Sequence, residues 1–431
     1  MKEELLHFIW KMNLLDPRSL RTQSQETLRV VKPGLHNEDS GPDFFDARVR
    51  IGETLWAGNV EIHLKSSDWY RHDHDKDDAF ENVILHVVYE HDQEVYYSRS
   101  QHPVPVLELK NFISSTLIQK YQEMLYNSDW IPCASHIHKV PFLHQISWLE
   151  RVLIERLEDK SSRIFDQLEK TAYDWQECFY RSMARYFGFN VNNEPFEQLA
   201  SSLPSSMLAR HKDNRFQIEA LLFGQAGFLP SAQFRDDYPN QLSREFNFLK
   251  KKYGLKPLEP HQWKFMRTRP SNFPGIRISQ LADLIHKSSH LFTNLLECSS
   301  PKEAQKLLNC NASSYWNSRY HFDKPDPSEK HKKLGKKSIE NLLINLMAPF
   351  LYAYGQYHNK EDYKSRAIEI LEELPPEQNK ITRKWRELGI PNKNAARSQA
   401  LIFLKKNYCD HKKCLNCQIG TQILKSPIVS G

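Results

Sequence analysis

The clearest alternation of apolar and polar residues runs from Asn59 to Lys65, Asn-Val-Glu-Ile-His-Leu-Lys. Successive side chains of a strand point to opposite faces. Val60, Ile62 and Leu64 are therefore expected on a core face, and Glu61, His63 and Lys65 on the other. The same reading predicts strands over 45–51, 55–65, 82–90 and 104–110. The 82–90 segment is apolar nearly throughout, as a strand covered on both faces would be. Leu5, Phe8, Ile9 and Met12 share one helical face and predict a helix over 5–15, followed by polar, turn-rich sequence to Pro42. From about Phe112 the period becomes helical: 148–168, 174–187, 217–222, 241–253, 278–296, 338–354 and 363–374, with shorter pieces at 380–388 and 395–404. These periods predict an α+β chain. A mixed-sheet domain over 1–115 precedes a helical region over 116–325. A second helical region over 326–431 ends in a cysteine cluster.

Composition narrows the class. With 40% hydrophobic and 12% aromatic residues, the 431-residue chain can build real cores. Charged residues make up 26%, the mean hydropathy is −0.65, and no apolar run approaches the roughly 20 residues of a membrane span. The start, Met1-Lys2-Glu3-Glu4, lacks the basic opening and apolar run of a signal peptide, so a cytoplasmic location without membrane contact is expected. A net charge of +6 permits a nucleic-acid partner without demanding one. Seven cysteines, an odd number, argue against a disulfide framework.

Several groups of residues carry candidate chemistry. Asp43, just before one strand, and Glu61, within the next, could hold Mg²⁺ or Mn²⁺ through carboxylate oxygens. His63 or Lys65 would then orient water or offset developing negative charge. The plain alternative is an ordinary solvent face of a sheet. Glu108-Leu109-Lys110, with Asp92 upstream, is a second arrangement of the same kind. His72 and His74 alternate with acids and, with His63 and His86, could ligate Zn²⁺ or Mn²⁺ if the segment is extended. Otherwise they belong to a hydrated loop. Cys409-x4-Cys414-x2-Cys417 places three thiols within nine residues, a spacing suited to zinc or an iron–sulfur cluster. His411 and Cys133 are the candidates for a fourth ligand. Arg267, Arg269 and Arg277 stand among Trp263, Phe265 and Phe273, a mixture that grips phosphate and stacks on bases, or else ties a loop together. The lysine-rich run over 330–337 reads as a phosphate-contacting patch or as a solvated loop.

Pro42-Asp43 followed by Glu61-Ile62-His63 resembles the PD-(D/E)XK nuclease superfamily, in which an Asp opens one strand and Glu-x-Lys follows on the next. The resemblance implies metal-dependent cleavage of phosphodiesters with Asp43 and Glu61 as ligands. The chain departs from it at His63, which stands where the superfamily has Lys; Lys65 lies one step further on the same face. The cysteine spacing resembles that of plant-type ferredoxins. One remote and three C-terminal cysteines is also the arrangement of RecB-type nucleases with an iron–sulfur cluster. Longer motifs cover nearly the whole chain. His36-Asn37, Gly41-Pro42-Asp43-Phe44, Gly58-Asn59-Val60-Glu61-Ile62-His63, Ser67-Asp68-Trp69, the 82–88 strand, the 267–274 segment and the Cys414-to-Gly420 ending resemble the bacterial domain-of-unknown-function family numbered 2851. That family implies no activity. The expectation is thus a Mg²⁺- or Mn²⁺-dependent phosphodiesterase acting on nucleic acid. The alternatives are a non-catalytic nucleic-acid or protein-binding module on a degenerate nuclease-like scaffold, and a small-molecule metallohydrolase built on His63, His72, His74 and His86.

Overall fold

The computed structural model describes residues 2–15, 20–37, 39–230, 233–266, 268–288 and 290–426. The chain is α+β, with a mixed sheet near the N-terminus and helices over most of the remainder. It divides into two compact units. One comprises 1–149, 387–389 and 403–431; the other comprises 150–386 and 390–402. Residues 116–149 and the C-terminal segment thus go with the sheet, unlike the 1–115, 116–325 and 326–431 division the sequence suggested. Among the described residues no helix is long and apolar enough to cross a membrane.

In the first unit, helix α1 (Glu3–Lys11) precedes strands β1 (Leu28–Lys32), β2 (Leu35–His36), β3 (Phe44–Ile51), β4 (Thr54–Lys65), β5 (Val83–Glu90) and β6 (Val106–Glu108). The sheet order is β1-β3-β4-β5-β6, with β2 also pairing with β3. β1, β2 and β4 run antiparallel to β3, whereas β4–β5 and β5–β6 are parallel. The polar stretch before Pro42 therefore contributes two strands that its composition hid. Only Leu28 of β1 is buried, so an edge strand here carries little apolar periodicity. Between β4 and β5 lies helix α2 (Asp68–Arg71) with two short helical turns. Gly58 is required where β5 begins: a Cβ there would lie 2.4 Å from Ile84 Cγ2 and 2.6 Å from the Asn82 carbonyl.

The expected burial of β4 changes along its length. From Val60 to His63 both faces are buried, so Glu61 and His63 are not on a solvent face. They lie beneath the segment that joins β4 to β5.

The second unit is helical apart from a small two-stranded sheet. The helix expected over 278–296 is two helices, Pro274–Lys287 and Leu291–Glu297, because Ser288 is extended. The 338–354 segment includes a π turn, Leu343–Met347, just before Pro349. A wider turn there relieves the proline ring's clash with the carbonyl four residues earlier. Arg215, Lys287 and the Asn311 amide surround the buried Asp283 carboxylate at 2.6–2.8 Å.

Candidate metal centre

Register assembles the site. Phe44 pairs with Val60 across the antiparallel ladder, which places Asp43 opposite Glu61. The parallel ladder places His86 beside Glu61. Paired residues share a face, so Asp43, Glu61, His63 and His86 project from the same side of the sheet. The Asp43 amide donates to Glu61 Oε2 (3.1 Å), and the Ile62 amide donates to Asp43 Oδ2 (2.9 Å).

The β4–β5 connection completes the group. Asp92, just beyond β5, accepts from the Ser67 amide and the Ser66 and Ser67 hydroxyls, pinning the connection at its start. His72 caps α2, Asp73 adopts a left-handed backbone (φ 58°), and His74 opens the next turn. Asp tolerates that conformation better than most residues. The segment is not the extended strand that simple chelation by alternate histidines called for; a reversal at Asp73 brings both rings against His63 instead.

Ligand atoms of His63, His72 and His74 all lie within 4.8 Å of one another. Glu61 Oε1 is 3.3 Å from His63 Nε2 and 3.2 Å from His74 Nε2. His72 Nδ1 is 3.1 Å from His63 Nε2, and His63 Nδ1 is 2.9 Å from His86 Nε2. Trp69 and Phe80 wall the group: Phe80 stacks on His74 at 3.8 Å, and Trp69 lies 5.2 Å from the His86 ring. Glu61 and His63 are buried, His74 is half-buried, and His72 is exposed at the outer edge.

The electrostatics keep His63 and His86 neutral. Burial, reinforced by the charges of His74 and His72, pushes the His63 pKa down to about 3. Burial holds His86 well below the ordinary histidine range. Burial raises the Glu61 carboxyl, opposed by its hydrogen bond with His74. A second imidazole–carboxylate pair adjoins the group, with His7 Nε2 of α1 3.3 Å from Asp43 Oδ2. Burial works against protonating His7, but Asp43 and Glu3 outweigh it and the net shift is upward. His7 was absent from the sequence expectation. Its one signal was Glu3 four residues earlier on the same helical face.

The remaining expected residues fall elsewhere. Lys65 is exposed and pairs with Asp92 at 3.7 Å rather than with Glu61 or His63. Arg277 is 3% exposed, donates to Gln280, Asn272 and Ser338, and lies over the Phe189 ring, so it offers nothing to a surface phosphate. Arg269 is exposed, while Arg267 lies outside the described residues. In the 330–337 run, Lys332 turns inward to the carbonyls of Trp316, Asn317 and Arg319. Glu108 accepts from the His91 amide, and Lys110 pairs with Glu90. Cys133, Cys414 and Cys417 are buried, Cys409 is half-buried, and all four lie in the sheet unit.

Fold and site together define an α+β protein whose mixed sheet supports a cluster of imidazoles around one carboxylate. The chain belongs to the family described as "Protein of unknown function (DUF2851)", whose model matches residues 3–380. The matched span holds the imidazole cluster and Cys133 but ends before Cys409. No curated protein and no solved structure matches the chain.

Proposed function

We propose that the sheet unit is a metal-dependent hydrolase whose ion is held by His63, His72 and His74 together with Glu61. The observation that carries this reading is the convergence of three imidazole nitrogens within 4.8 Å, with Glu61 Oε1 beside two of them. Three such ligands with an open position form the usual catalytic zinc arrangement, and imidazole also suits manganese and iron. Such an ion polarises a bound substrate oxygen and lowers the pKa of coordinated water.

The protein's own groups do the rest. His63 Nδ1 faces His86 Nε2, which fixes the ring so that Nε2 points into the cluster. Trp69 and Phe80 exclude water on the inner side, and the exposed His72 leaves the outer side open to substrate. Asp43 and His7 form a pair able to take up a proton from the attacking water. Asp43 beside Glu61 favours a second reading, in which the two carboxylates hold Mg²⁺ or Mn²⁺ for phosphodiester cleavage, as the sequence suggested.

The test is hydrolysis of bis(p-nitrophenyl) phosphate, plasmid DNA, single-stranded DNA and RNA, and p-nitrophenyl acetate, by protein loaded with Zn²⁺ or Mn²⁺. Glu61→Gln is expected to lower turnover at least about 100-fold. Asp43→Asn separates the readings. It leaves metal affinity nearly unchanged if imidazoles hold the ion, and abolishes it if the carboxylate pair does. Full turnover in Glu61→Gln removes both.

A further inference from the structure

We propose that Cys133, Cys409, Cys414 and Cys417 form a second metal centre, a four-thiolate site for zinc or an iron–sulfur cluster that fastens the C-terminal segment to the turn at Cys133. This inference is independent of the imidazole cluster.

The chain folds the three C-terminal cysteines back beside the turn that follows Cys133. Lys405–Cys409 is a π turn, with the Asp410 amide bonded to the Lys405 carbonyl at 2.9 Å. Single π turns inside helices concentrate at functional sites. The backbone then doubles back: Lys412 has φ 52°, the Lys413 amide reaches the Tyr408 carbonyl, and Cys417 N–H bonds the Cys414 carbonyl at 3.3 Å. Helix Gln418–Lys425 starts directly after Cys417 and packs against helix Ser115–Tyr126 and the turn Ile137–Lys139. That turn follows Cys133, whose carbonyl accepts from His136 and Ile137. Lys120 Nζ donates to the Ile423 carbonyl (3.2 Å), Lys412 donates to the Leu125 carbonyl, and the Lys405 ammonium lies 5.2 Å from the Trp130 ring.

The result is one electrostatic neighbourhood. Cys133 feels Cys417 and Cys414, and Cys409 feels Cys417, Cys133 and Cys414. The choice left open between His411 and Cys133 falls on Cys133, which is buried as Cys414 and Cys417 are. Four thiolates around one ion or cluster leave net negative charge, and Lys406, Lys412 and Lys413 lie in the same short segment to offset it, while Lys405 pairs with Asp410. Neutral packed thiols would need none of this, since free cysteine packs as a small hydrophobe.

The experiment uses the full chain, purified anaerobically, with zinc, iron and acid-labile sulfide measured before and after a thiol-specific mercurial. Imidazole-bound metal does not answer to that reagent. About one zinc, or about two or four irons with matching sulfide, released by the mercurial supports the site, and these results identify the metal. Cys133→Ser should lower mercurial-released metal at least about tenfold, while Cys178→Ser, in the other unit, leaves it unchanged. Should Cys133→Ser not fold, cobalt exchange into wild-type protein gives the second readout, through thiolate-to-cobalt charge-transfer absorption. Wild-type protein whose cysteines react without releasing metal, and which gives no such absorption, overturns the proposal.

Discussion

His63 lies between two other imidazoles, with exposed His72 on its outer nitrogen and wholly buried His86 on its inner one. In this arrangement His86 fixes which nitrogen of His63 is free. Second-sphere partners of this kind typically change metal affinity by about 10–100-fold. His86→Ala is therefore expected to weaken Zn²⁺ or Mn²⁺ binding by that factor, measured by competition against a chelator dye; unchanged affinity contradicts a positioning role for His86. Glu61 and His63 were legible in the sequence because a period of two is short and local. His7 was not, since Glu3 and His7 four apart on a helix read as a surface pair; only tertiary packing sets His7 on Asp43. Arg277 misled for the opposite reason. Cations among aromatics suit both nucleic-acid contact and inward hydrogen bonding, and its neighbours Asn272, Gln280 and Ser338 decide for the second.

At the scale of elements, pairing register made the site. Asp43 and Glu61 meet because β3 and β4 form a hairpin, and His86 joins them because β5 runs parallel beside β4. The hairpin could be inferred from two alternating segments in succession, whereas the reversal at Asp73 that sets His72 and His74 against His63 left no pattern. The edge strands Leu28–Lys32 and Leu35–His36 escaped for want of apolar periodicity. In the helical unit, packing is equally specific. Helix Arg215–Gln225 meets helix Asp237–Tyr253 at Gly224, where a Cβ would lie 2.1–2.3 Å from the Phe246 ring. Phe246 is 3% exposed and has little room to move. Gly224→Ala should therefore cost about 1–3 kcal/mol of stability, read from the midpoint of urea unfolding. A variant as stable as wild type shows that these helices can slide apart.

For the whole molecule, the α+β order was visible because period two gives way once to period 3.6 along the chain. The grouping into units was not, because residues 403–431 return to the N-terminal unit from more than 250 positions away, and nothing local marks such a return. The two proposals thus give the same unit two ligand sets of different chemistry, imidazole with carboxylate and thiolate. Thiolates select zinc, copper(I) and iron–sulfur clusters, whereas Mn²⁺ prefers oxygen and tolerates imidazole. That contrast singles out the imidazole cluster, on which the functional reading stands. The most direct test is a titration with Mn²⁺, following free ion by electron paramagnetic resonance, for wild type beside the double variant His63→Ala, His72→Ala. The account predicts about one Mn²⁺ bound per chain in wild type and none with comparable affinity in the variant. Equal binding by both proteins, or no binding by wild type, contradicts it.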